Sequence, residues 1–127
     1  MTDDIPSILS GRRILIAEDE AITAMLLEDV IEQLGGKIIG TTKACNEALA
    51  ALEASDFDAI ILDVHLKGGT SEEVVAAAAD KNVPVLVCTG SDAQALPPAF
   101  RNLPILKKPW LSEDVEIALV QLFNVAG

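Results

Sequence analysis

The chain has 127 residues, 50% of them hydrophobic, with three Phe, one Trp and no Tyr; that length suits one domain, and the apolar content argues against intrinsic disorder. Nine Lys and Arg stand against 20 Asp and Glu, a net charge of −11, which repels a phosphate backbone and, with so few aromatics for base stacking, disfavours direct nucleic-acid binding. Cys45 and Cys88 lie in separate apolar segments and His65 is the only histidine, so neither a zinc site nor a disulfide framework is supported; no apolar run approaches the roughly 18 residues of a membrane span, and a cytoplasmic setting is expected.

Residues 1–11 carry Pro6, Ser7, Ser10 and Gly11 without periodicity and are expected to be a lead-in to a domain over residues 12–127. Beyond them, apolar β-rich runs alternate with helical patterns. Strands are expected at Ile14 to Ala17, Lys37 to Thr41, Ala59 to Leu62, Pro84 to Cys88 and Ile105 to Leu106. The first helix, Glu20 to Leu34, places Ile22, Met25, Leu26, Val30 and Leu34 at helical spacing and stops at Gly35 and Gly36. Ala44 to Ala54 and Ser71 to Lys81 are Ala-rich, the second with Ser71 as a cap and Glu72 and Glu73 in the first turn. Pro97 and Pro98 interrupt Asp92 to Phe100, so a helix there is short or broken. A last helix follows Ser112, with Val115, Ala118, Leu119 and Leu122 on one stripe.

Continuous apolar strands are buried on both faces, and repeated strand-helix-strand units demand a parallel sheet covered by helices on both sides. The expected fold is therefore a doubly wound α/β sheet, whose ligands gather outside the carboxyl ends of the strands. Those ends hold Glu18, Asp19 and Glu20; Asp63; Thr89 and Gly90; and Lys107, Lys108 and Pro109. Carboxylates from neighbouring strands repel one another unless a cation lies between them, and such oxygen ligands suit Mg2+. A Lys and a Thr beside that metal are what a bound phosphoryl group requires.

In this order the landmarks resemble the receiver domain of bacterial two-component response regulators, over essentially residues 12–123: Glu18 and Asp19 in Ile-Leu-Ile-Ala-Glu-Asp-Glu, Asp63 in Ile-Ile-Leu-Asp-Val-His-Leu, Thr89, and Lys108 with Pro109. The resemblance implies a flavodoxin-like, five-stranded parallel sheet in the order 2-1-3-4-5. It implies that Asp63 is the phosphoacceptor, that Asp19 and Asp63 ligate Mg2+ directly, that Glu18 holds it through water, and that the backbone carbonyl of His65 adds an oxygen. Lys108, being the residue before Pro109, would pair with a phosphoryl oxygen while Lys107 faces away, and the Thr89 hydroxyl would donate to the phosphoryl group. The His65 side chain is expected at the pocket rim, and Cys88 is expected to be a core residue.

Several positions depart from the family pattern. Ile105 stands where an aromatic is usual, and Lys67 stands where Pro is usual, followed by Gly68 and Gly69, so that loop is expected to be more mobile. The run Val83-Pro84-Val85-Leu86-Val87-Cys88-Thr89-Gly90, with Leu96-Pro97 and Trp110, is similar to a subgroup of single-domain receivers with Phe-Ala-Thr-Gly at the fourth strand. A stand-alone receiver is expected, phosphorylated by a sensor histidine kinase or phosphotransfer protein and signalling through protein contact to an unknown downstream protein. Ile117 and Val120, nearly opposite the buried stripe of the last helix, mark a docking or homodimer surface that Trp110 would extend. One alternative is a receiver-like binding module that acts without phosphorylation. An enzyme turning over an external substrate is not expected, because the sequence has no GxGxxG, no P-loop and no Asp-x-Asp after a strand, where Asp63-Val64-His65 stands instead.

Overall fold

The computed structural model describes residues 9–91 and 95–126. In chain order the elements are β1 (Arg13–Ala17), α1 (Ala21–Gln33), β2 (Lys37–Thr42), α2 (Cys45–Ala54), β3 (Ala59–Asp63), β4 (His65–Leu66), β5 (Gly69–Thr70), α3 (Glu72–Asp80), β6 (Val85–Thr89), α4 (Pro98–Arg101), β7 (Ile105–Lys107) and α5 (Ser112–Ala126). The main sheet has five strands, all parallel, in the order β2-β1-β3-β6-β7. Counted within that sheet, this is the expected order 2-1-3-4-5. The strands β4 and β5 form a separate two-residue antiparallel ribbon.

Strand side chains alternate between the two faces, because successive Cβ atoms point to opposite sides of a strand. Ile14, Ile16, Ala59, Ile61, Leu86 and Cys88 join the core under α1 and α5, which contribute Leu27, Ile31, Val115 and Leu119. Leu15, Ala17, Ile60, Leu62, Val85 and Val87 join the opposite core, where Ala48, Leu52, Val74, Ala78 and Phe100 come from α2, α3 and α4. Burial of β3 and β6 along their whole lengths explains why these segments read as unbroken apolar runs.

The chain stops α1 at two glycines for two separate reasons. Gly35 has φ +90, a left-handed conformation that a side chain resists, and a Cβ on Gly36 would fall 2.7 Å from the Ile31 Cγ2 methyl. The end of the supposed lead-in is tied to this stop: Leu9 is fully buried, its N–H donates to the Leu34 carbonyl at 2.9 Å, and Gly11 N–H donates to Gly35 at 3.2 Å. Residues 1–8 of that segment lie outside the described residues. So do positions 92–94 of the interrupted fourth helical segment, whose helix is the four-residue α4 starting at Pro98.

Three expectations about surfaces need correction. On α1 the buried face is Ala24, Leu27, Val30 and Ile31, whereas Ile22, Met25 and Leu26 are 75, 63 and 51% exposed. On α5, Ile117 is exposed but Val120 is half-buried, so the outward apolar pair is reduced to one residue. Trp110 does not extend that surface; it packs with Leu34, Ile38, Ala118 and Phe123 against the core under α1 and α5.

The segment after β3 is tied down at Lys67. Its N–H donates to the Lys43 carbonyl at 3.4 Å and its carbonyl accepts from Cys45 N–H at 3.2 Å. Proline at position 67 could not make the first of these bonds, so the departure from the family pattern fastens this segment to the β2–α2 loop.

Candidate functional site

Because the five strands are parallel, their carboxyl ends lie along one edge of the sheet, and the chemistry-bearing residues arrive there together. Glu18 and Asp19 follow β1, Asp63 closes β3, Thr89 closes β6, and Lys108 directly follows β7, joined to Pro109 by a cis peptide. The Glu18 N–H is held by the Thr42 carbonyl at 2.9 Å, and Lys108 N–H by the Thr89 carbonyl at 2.8 Å, so both loops continue the register of their strands.

Carboxylate oxygens of Glu18, Asp19 and Asp63 lie within 4.8 Å of one another. The Lys108 ammonium lies against two of these carboxylates and Glu20, with Nζ 2.9 Å from Glu18 Oε1, 3.1 Å from Asp63 Oδ2 and 3.2 Å from Glu20 Oε1. Asp63 Oδ1 accepts from the His65 N–H at 3.1 Å, so both of its oxygens are oriented. Behind it, buried Ser71 donates its hydroxyl to the Asp63 carbonyl at 2.7 Å, with the Val64 carbonyl at 3.1 Å. Ser71 occupies the position before α3, yet its side chain makes no helix-capping bond; it fastens the end of β3 instead. The Thr89 hydroxyl is buried and accepts from Ser91 N–H at 3.1 Å.

Glu18 is only 1% exposed, and burial is the main reason its pKa is pushed up to about 7. Neighbouring Asp63 raises it further, while Lys108 and the Glu20 N–H pull it down. Burial disfavours the charge on Lys108, but pairing with Glu18 and Asp63 outweighs this and raises its pKa, so the ammonium persists. Glu18 Oε1 touches the ammonium outside hydrogen-bond geometry and has no hydrogen-bond partner, although it is buried. A buried carboxylate oxygen that is ion-paired to Lys108 yet accepts no hydrogen bond, within 4.8 Å of two further carboxylates, fits a hard cation with oxygen ligands such as Mg2+.

The structure thus brings Glu18, Asp19, Asp63 and Lys108 into one cluster, with Thr89 at the neighbouring strand end and Lys107 exposed on the other side of its strand. The His65 side chain is exposed, and only its backbone N–H touches Asp63. Cys88 is a core residue whose thiol burial pushes up to about 12. Two contributors lie outside the sequence-based site. Glu20 was visible as a third acid at the strand end, and only its contact with Lys108 sets it apart; Ser71 carried no signal beyond that of an ordinary helix cap. A groove of about 390 Å³ opens beside the cluster, lined by Thr23, Leu26, Lys108, Pro109 and Trp110.

Comparison with known proteins shows what the chain resembles. The description "Response regulator receiver domain" matches residues 14–110. The Transcriptional regulatory protein TcrA of Mycobacterium tuberculosis is 39% identical over 88 residues, covering 67% of this chain and 34% of its own length. The chain therefore spans about a third of that relative. The solution structure of SdrG from Sphingomonas melonis Fr1 is 39% identical with a TM-score of 0.79, covering 91% of this chain and 98% of SdrG. A second solution structure, of the BeF3-activated conformation of SdrG from Pseudomonas melonis Fr1, is 38% identical with a TM-score of 0.75, covering 89% of this chain and 98% of that one.

Proposed function

The chain belongs to the response regulator receiver domain family, and from that premise we propose that it takes a phosphoryl group from a phosphohistidine onto Asp63. The donor is a sensor histidine kinase or a phosphotransfer protein, and the phosphorylated state is passed on by protein contact. A cytoplasmic setting goes with this reading. An Asp63 carboxylate oxygen attacks phosphorus, the phosphorus–nitrogen bond of the donor breaks, and the imidazole leaves with that electron pair, giving an acyl phosphate. No external substrate is turned over, because the covalent product is the chain's own side chain.

The observation that carries this reading is the orientation of Asp63. One oxygen is held by a backbone N–H and the other by the ammonium of Lys108, at a sheet edge where buried carboxylates have a surplus of negative charge. Lys108 would pair with a phosphoryl oxygen. The Thr89 hydroxyl, which accepts from the Ser91 N–H and keeps its own O–H to give, would donate to another, drawing the loop after β6 inward. Asp19 and Asp63 directly, Glu18 through water and the His65 carbonyl would hold Mg2+, whose chemistry there is to neutralise the phosphoryl oxygens.

The exposed apolar face of α1 gives the donor a place to sit. Leu26 lines the groove that Lys108 also lines, and Ile22 and Met25 share a neighbouring groove with Leu26, so a protein seated on this face would lie beside Lys108.

An amide NMR titration with Mg2+ and then beryllofluoride, whose fluorines stand in for phosphoryl oxygens, tests the reading without a kinase. Saturable Mg2+ shifts at Asp19, Asp63 and His65 are expected, followed by beryllofluoride shifts at Thr89 that vanish in Asp63→Asn. A wild-type spectrum that ignores both ligands sinks the reading and leaves a binding module that acts without phosphorylation.

A further inference from the structure

We propose that Glu20 is a positioning residue of the phosphoacceptor pocket: its carboxylate is a tethered anion on Lys108, occupying the place that a phosphoryl oxygen takes, so the phosphoryl group enters by displacing it. This rests on the reading of Asp63 as phosphoacceptor. Lys108 has three N–H donors, and three carboxylates from two strand ends surround its Nζ at 2.9, 3.1 and 3.2 Å. Of the three, Asp63 and Glu20 accept hydrogen bonds from it, so an oxygen arriving at this ammonium competes with carboxylates already seated there.

The three are not equally easy to remove. Glu18 and Asp63 are buried and have little water to return to, and Asp63 is additionally fixed by the His65 N–H. The Glu20 side chain is 63% exposed, and an exposed ion pair contributes little, because water receives the released carboxylate at small cost. Glu20 also has a position to fall back on. It stands at the start of α1 without a capping bond of its own, and the Thr23 hydroxyl, one turn along, already donates to the same Oε1 at 3.4 Å. A carboxylate over the first turn of a helix is favoured by the helix dipole, so release from Lys108 leaves Glu20 in a suitable place. The exchange breaks no covalent bond and consumes no proton.

Removing the tethered anion should ease entry of a phosphoryl mimic. With Mg2+ saturating each protein, beryllofluoride half-saturation is measured by amide NMR for the wild type, Glu20→Gln and Glu20→Asp. Glu20→Gln keeps the size and loses the charge; Glu20→Asp keeps the charge but is one methylene shorter and loses contact with Lys108. Both are expected to lower the half-saturating concentration, Glu20→Gln by roughly two- to five-fold, the range of an exposed ion pair. Local damage to the loop would weaken binding, so the sign alone separates competition from a structural role. Binding by Glu20→Gln that equals or falls below wild type overturns the inference while leaving Asp63 as acceptor. So does a Glu20→Asp protein that matches wild type, since the general field and not the contact would then be responsible. A wild type that does not bind beryllofluoride at all removes both the functional reading and this inference.

Discussion

Glu18 is a carboxylate almost sealed from water, and its environment sets a pH dependence of known sign. Its pKa is about 7 in the folded chain against an ordinary 4.5, so between those values the folded state binds more protons than the unfolded state. Stability therefore falls as pH rises through that window. With about 1.4 kcal/mol for each pH unit, the cost to the metal-free protein by about pH 8 is on the order of 2–3 kcal/mol. Denaturant unfolding in chelator, from about pH 5 to about pH 8, should show Glu18→Gln gaining on the wild type by that amount. Parallel curves for the two proteins would mean that Glu18 is ionised at no cost. Mg2+ should restore the wild type at the upper end and stabilise Glu18→Gln by less, because a bound cation offsets the cost of the buried charge that the variant lacks.

At the scale of elements, helix α1 shows what hydrophobic spacing reveals and what it leaves open. Its existence and its stop at Gly35 and Gly36 were readable, because those features are local. Its orientation was not, because α1 has apolar residues on two opposite faces: Ala24, Leu27 and Ile31 inward, Ile22, Met25 and Leu26 outward. Periodicity cannot choose between two such stripes, and packing chose the one with the small Ala24. The strand ends were legible for a different reason. A parallel sheet forces every carboxyl end to one edge, so Glu18, Asp19, Asp63, Thr89 and Lys108 could be grouped from the sequence, whereas the Ser71 and Lys67 tethers depend on backbone partners that no residue type announces. The outward stripe of α1 carries its own prediction. Met25→Ser with Leu26→Ser should slow phosphoryl transfer by about tenfold from whichever histidine-phosphorylated donor loads the wild type fastest in a panel, while beryllofluoride binding stays unchanged. Equal loss in both assays would mean that the face supports the pocket and not the partner. Thermal stability should move by less than about 0.5 kcal/mol, since these side chains are exposed.

For the whole molecule, cations should act at two ranges that salt separates. A net charge of −11 on one small domain produces self-repulsion that reaches across the protein at low ionic strength, where the screening length is roughly 30 Å at 0.01 M, and is largely suppressed at roughly 8 Å near 0.15 M. The carboxylates of Glu18, Asp19 and Asp63 lie within 4.8 Å of one another, inside either screening length, so monovalent salt does little for their mutual repulsion. NaCl over that range should therefore raise the melting temperature by a few °C in the wild type and equally in Asp63→Asn, because a single charge hardly changes the total. Mg2+ at matched ionic strength should add a further rise that is large in the wild type and reduced in Asp63→Asn, because it acts on the cluster itself. Equal Mg2+ responses in the two proteins would reduce Mg2+ to one more screening ion. A melting temperature indifferent to NaCl but responsive to Mg2+ would place the electrostatic cost of this fold in the pocket alone, and the acidity of the rest of the surface would then carry no penalty for folding.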